Sequence, residues 1–156
     1  MKILKIIFIT GWILICSSCH KSAKEIETDY VKNFIETLPI NNDIKWIVIQ
    51  PGLGCPGCIQ EGEQFMKKNV SNKSIYFVLT KIVSLKILSY KVGIDIKKCN
   101  NVYADVDNLF ILPSNDNIYP CIVKIDNKKI INLEFQNPDN STAFDNLNSE
   151  LNAEYK

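Results

Sequence analysis

Histidine is almost missing: the 156 residues hold one, His20, close to the N-terminus. With no other imidazole, neither a Cys–His nucleophile pair nor a histidine-based metal site can be built in the body of the chain. His20 itself reads as a solvated tether residue. A zinc site made of cysteines alone needs a second ligand pair. Cys99 and Cys121 are too far apart in sequence to supply one. Net charge is also nearly absent, at +1, which gives no reason to expect a nucleic-acid partner. There is no internal repeat, no long low-complexity stretch and no peroxidatic motif around a single cysteine.

The one apolar run near the N-terminus, Ile6 to Ile15, is short for a bilayer span. It follows a basic start, Met1-Lys2-Ile3-Leu4-Lys5, and leads into Cys16-Ser17-Ser18-Cys19. Small residues before a cysteine resemble the lipobox of bacterial lipoproteins. Residues 1–18 then read as a signal peptide, with lipid on the thiol of Cys19. A plain signal peptide or an uncleaved anchor helix are the alternatives. Acyl chains anchor a protein stably because each buried methylene contributes about 0.8 kcal/mol. The expected location is extracytoplasmic, lipid-anchored to a bacterial membrane and facing the periplasm, where disulfides persist. Residues 19–43 read as a tether with an amphipathic helix, and 44–156 as one domain. A hydrophobic share of 46% suits a single core.

Ile26, Tyr30, Val31, Phe34, Ile35 and Leu38 recur at helical spacing. Pro39 and Asn41-Asn42-Asp43 stop that helix. Ile44 to Ile49 and Ile75 to Leu79 are continuous apolar runs rich in β-branched or aromatic residues, the mark of buried strands. Gln50 to Gly54 reads as a loop. A helix follows it, with Ile59, Gly62, Phe65 and Met66 near one face. Ile82 to Val92 reads as helix, with Gly93 as its stop. Val102 to Val106 is a short strand. Cys121 to Ile125 and Ile130 to Phe135 flank a hairpin turn at Asp126-Asn127-Lys128-Lys129. Ser141 to Leu151 closes the chain as a helix. The order α, β, α, β, α, β, β, β, α predicts an α/β fold. Its mixed sheet is parallel in the first half, ends in an antiparallel hairpin and is covered by helices on both faces.

The chemistry lies in Cys55-Pro56-Gly57-Cys58, placed between a strand and a helix. A cysteine at a helix start is stabilised as thiolate by unpaired N–H groups and the positive end of the helix dipole. A second thiol a short loop away can resolve a mixed disulfide. Two bland alternatives use the same spacing: a structural disulfide and a metal site. Copper or zinc handling by the two thiols has no His or paired Met beside it for support.

With that tetrad on the page, residues 44 to 151 resemble the thioredoxin superfamily, and within it the membrane-tethered TlpA/ResA-like branch. Three features carry the likeness. The tetrad sits between strand and helix, Glu61 stands three positions after Cys58, and Tyr119-Pro120 precedes a strand. The resemblance implies a three-layer thioredoxin-like fold and a protein disulfide oxidoreductase needing no cofactor beyond its Cys55–Cys58 pair. It implies a reductant that exchanges with protein thiols and disulfides and is supplied by a membrane electron donor. Cys55 would be nucleophile, Cys58 the resolving thiol, Glu61 a proton acceptor, and Pro120 a cis-proline shaping the groove. Gly54, Pro56, Gly57 and Tyr119 would contact substrate, the Tyr119 backbone by strand addition. The chain departs from the family in three places. Gly54 replaces an aromatic residue, the loop from Gln50 to Gly54 looks long, and strand Ile44 to Ile49 has no buried acid. Cys121, directly after Pro120, reads as a buried free thiol; a third redox thiol or a disulfide with Cys99 are alternatives to that. The rival function is a tethered binding module whose Cys55–Cys58 bond is structural.

Overall fold

A computed structural model describes residues 21–154; the expected signal peptide, the expected lipid site Cys19 and His20 lie outside the described residues. Helix α1, Ala23–Thr37, starts on a capping box. The Ser22 hydroxyl accepts the Glu25 N–H, and the Glu25 carboxylate accepts the Ser22 N–H at 2.7 Å. Its apolar stripe turns Val31, Phe34 and Ile35 inward.

Strands β1 (Trp46–Pro51) and β2 (Ile75–Thr80) pair in parallel, Trp46 opposite Ile75, and are buried along their whole length. Between them runs α2, Pro56–Asn69. Helix α3, Leu85–Val92, leads from β2 to the short edge strand β3, Val102–Ala104, parallel to β2. It begins three residues later than the apolar pattern implies because the Ser84 hydroxyl caps it, accepting the Ile87 N–H. Gly93 ends it at φ +70, as expected. Strand β3 stops at Ala104 because Asp105 turns the chain out of the sheet. The buried Asp105 carboxylate accepts the N–H groups of Leu109 and Phe110 at 2.9 and 2.8 Å.

Strand β4, Cys121–Asp126, lies antiparallel to β1, and β5, Lys129–Phe135, antiparallel to β4. The two are joined by Asn127 and Lys128, both at positive φ (48 and 63), which suits the right-handed twist of a tight hairpin. Helix α4, Ala143–Glu154, completes the chain. The sheet order is β3-β2-β1-β4-β5. One face packs Ile47, Ile49, Val78 and Val123 under α1, Phe110 and Leu112. The other packs Val48, Phe77, Leu79 and Ile122 under α2, α3 and α4. The result is a five-stranded mixed sheet with helices on both sides, as the element order predicts.

Candidate active site

Strand β1 extends through Gln50 and Pro51, so the connection to α2 is shorter than the sequence suggests: Gly52 to Gly54, then Cys55. The Gly52 N–H donates to the Thr80 carbonyl at 2.8 Å, which seats this turn on the end of β2. Cys55 is the N-cap residue of α2 and Pro56 its first helical residue, where the missing N–H costs nothing. The Cys55 carbonyl accepts the Ile59 N–H at 2.9 Å, the first bond of the helix.

The two tetrad thiols sit in unlike surroundings. Cys55 is half-buried and Cys58 is buried. The Cys55 side chain makes no capping hydrogen bond. Ionised, the Cys55 sulfur is held below the usual thiol range first by the Cys58 thiol, then by the N–H groups of Cys58 and Gly57 at the helix start. The Cys58 thiol is pushed up to about 11, by burial first and then by its hydrogen bond to Cys55 and the Cys55 charge. The Glu61 carboxylate raises both. One sulfur is poised to ionise and its neighbour to stay protonated.

Glu61 is exposed, one turn along α2, and its carboxylate accepts a hydrogen bond from the Gln136 amide. Gln136 is 2% exposed. Its backbone N–H donates to the Pro120 carbonyl at 2.9 Å, its Nε2 also to the Ser141 carbonyl at 2.9 Å, and its Oε1 accepts the Phe144 N–H at 3.2 Å. Through this one residue the tetrad helix, the Pro120 loop and the start of α4 are tied together.

The Tyr119–Pro120 peptide bond is trans, correcting the cis bond that the resemblance implies. Tyr119 ends a 3-10 turn, Asn115–Ile118, in extended backbone (φ −109, ψ 148) and runs straight into β4. That is the conformation a residue before proline favours, so the trans bond needs no reversal of the chain. The Tyr119 N–H already donates to the Asp116 carbonyl at 3.0 Å and is not open for strand addition. Tyr119 directly follows Ile118, whose carbonyl accepts the Cys55 N–H at 3.1 Å, which sets it beside the tetrad; desolvation, then the Cys55 and Cys58 charges, raise its phenol. Pro56 and Gly57 are exposed, and nothing lies within 4 Å of a Cβ built on Gly57.

Gly54 has a structural explanation. The Cys55 N–H donates to the Ile118 carbonyl at 3.1 Å, and a Cβ on Gly54 would lie 2.2 Å from that same oxygen. Its φ of +153 also disfavours a side chain. The backbone of the 3-10 turn fills the space that an aromatic residue would take. Lys81 holds that turn from the other side: its ammonium donates to the Asn117 carbonyl at 2.9 Å and to the Asn117 side chain at 2.6 Å. Where the strand lacks a buried acid, it carries a buried amide. Gln50 Nε2 donates to the Pro51 and Ile59 carbonyls, each at 3.2 Å, and its Oε1 has no partner. A Cβ on Gly62 would meet that oxygen at 1.8 Å, so glycine at 62 makes room for it.

Cys99 and Cys121 are free and stand on opposite faces of the sheet, which overturns the disulfide alternative. Cys121 is buried in the core under α1, whereas Cys99 follows the Ile96 turn on the opposite face of the sheet. Burial raises the Cys121 thiol far above the usual range. The structure thus gathers Cys55, Cys58, Glu61, Gly54 and Tyr119, with Pro120 joined through Gln136, and keeps Cys99 and Cys121 apart. Sequence patterns missed Gln136, Gln50 and Lys81. Lone polar residues at strand ends carry no motif. Gln50, five residues ahead of Cys55 on an otherwise apolar run, was the one usable signal. No family model, curated protein or solved structure matches the chain. No helix among the described residues is long and apolar enough to cross a membrane.

Proposed function

We propose that this chain is a thioredoxin-like thiol–disulfide exchange protein, held by lipid on Cys19 at the outer side of a bacterial membrane. One observation carries the reading: half-buried Cys55 stands at the N-cap of α2 with buried Cys58 three residues on, an arrangement that favours the thiolate at the first and the thiol at the second. The strand–tetrad–helix order and the antiparallel hairpin after Pro120 support it. Cys55 thiolate attacks a partner disulfide; a Cys55–partner S–S bond forms and a partner thiolate leaves. Cys58 then gives up its proton, to Glu61 or to water, and attacks the Cys55 sulfur. The partner departs as a second thiolate, both partner thiolates are reduced, and Cys55–Cys58 is oxidised. Sulfur carries both electrons, so the exchange uses no cofactor. A membrane electron donor re-reduces the pair.

Cysteine substitutions test this. Cys58→Ser is expected to accumulate mixed disulfides through Cys55, visible as reductant-sensitive adducts, and Cys55→Ser to accumulate none. A Cys55–Cys58 bond that strong dithiol reductant leaves intact would instead mark a binding module with a structural disulfide.

A further inference from the structure

Gln136 is the most heavily committed polar side chain beside the tetrad, yet it comes from a distant strand end. Four observations stand together. It is 2% exposed. Its Nε2 donates to Glu61 and the Ser141 carbonyl, its Oε1 accepts the Phe144 N–H, and its backbone N–H donates to the Pro120 carbonyl. Every polar atom of the side chain is used, so the amide cannot rotate without leaving a buried group unpaired. Glu61, by contrast, is exposed and would otherwise swing freely in water.

We propose that Gln136 is a positioning residue for the second exchange step, holding the Glu61 carboxylate against α2 where it can take the Cys58 proton. This rests on the exchange function proposed above. The balance is simple: the S–H bond of Cys58 breaks, its proton passes to a Glu61 oxygen, and the sulfur keeps the electron pair that attacks Cys55. Gln136 donates an N–H throughout and transfers nothing. Because the same residue holds the Pro120 carbonyl, the proton acceptor and the Pro120 loop keep a fixed spacing. The charged and titratable neighbours are Cys55 at the start of α2, Cys58 and Lys68 on it, Asp145 on α4, Tyr119 and Asp116 beside Pro120, and Asp139.

Two substitutions separate positioning from scaffolding. Gln136→Glu keeps an acceptor for the Phe144 N–H but turns a carboxylate oxygen toward Glu61, while Gln136→Met keeps the volume and loses both functions. The probe is an aromatic disulfide that releases a coloured nitrothiobenzoate anion at each step, used on the full reduced chain carrying Cys99→Ser, so that the half-exposed Cys99 thiol releases none and attack by Cys55 and closure by Cys58 are read separately. In Gln136→Glu the first release is expected to stay within about twofold of wild type. The second is expected to slow at least about tenfold near neutral pH, with its pH profile moved upward. In a Glu61→Gln background the Gln136→Glu change is expected to lose its effect on the second release, since it acts through Glu61. Equal second-step profiles for Gln136→Glu and wild type, or an undiminished effect in the Glu61→Gln background, would overturn the assignment. A wild-type protein that releases no second anion would instead overturn the exchange function itself. Gln136→Met reports folding: loss of both steps together there, with Gln136→Glu intact in both, would make Gln136 purely structural.

Discussion

Two cysteines three positions apart on one helix would be chemically alike in water. They differ here because Cys55 sits where N–H groups are unpaired and Cys58 sits one turn inward, under protein. The thiolate is the species that alkylates, so its pH profile reads each acidity directly. In the reduced protein, Cys55 is expected to react with an inflection lowered from that of an ordinary thiol, and Cys58 to become reactive only as pH approaches about 11. Between those values alkylation labels one thiol of the tetrad, and mass mapping of the tetrad peptide checks which. The largest stabiliser of the Cys55 thiolate is the Cys58 thiol. Cys58→Ala is therefore expected to move the Cys55 inflection upward without abolishing it, since the helix N–H groups remain. An unmoved inflection would assign the whole effect to the helix start.

Glycines show how the elements meet. Gly54 is pressed against the backbone of Ile118, where a Cβ has 2.2 Å to the carbonyl oxygen, and neither strand nor turn can yield without breaking the Cys55–Ile118 bond. Gly57, three residues on, faces open space. Gly54→Ala is expected to cost about 2 kcal/mol or more, from strain and the lost bond. Gly57→Ala is expected to be neutral or to stabilise by about 0.5–1 kcal/mol, because alanine loses less chain entropy within a helix. Urea unfolding of the two variants checks the difference. These positions also mark what sequence could reveal. The strands, the tetrad helix and the Asn127-Lys128 turn are written in local periodicity and turn chemistry, and they appear near where expected, with β1 shifted to Trp46–Pro51 and β3 ending at Ala104. The reason for Gly54 is not local. It lies in Ile118, which is brought close only when β4 pairs beside β1, so the glycine reads as a missing aromatic until the fold is known. The same holds for Gln136, whose partners lie on α2, before β4 and at the start of α4. The cis-proline expectation came from likeness alone and had no local signal to correct it.

Across the whole molecule, the sheet separates two tasks. The tetrad helix packs on one face with α3 and α4, and α1 packs on the other. Helix α1 does more than cover one face of the sheet. Phe34 packs its ring 4.7 Å from Phe110 and 6.3 Å from Tyr103, and the Tyr30 hydroxyl accepts the Ile111 N–H at 2.9 Å. It therefore clasps the segment between β3 and β4, whose far end carries Ile118 and Tyr119. Phe34→Ala removes a 9%-exposed ring and leaves a cavity, which costs about 3–5 kcal/mol. Small domains hold only about 5–15 kcal/mol in total, so the urea midpoint is expected to fall steeply. Helix α2 rests on the opposite core, so the Cys55 alkylation profile of the protein that remains folded is expected to match wild type. Should Phe34→Ala instead move that profile while the fold persists, the clasp would reach the thiols through Ile118, and the two faces would act as one unit.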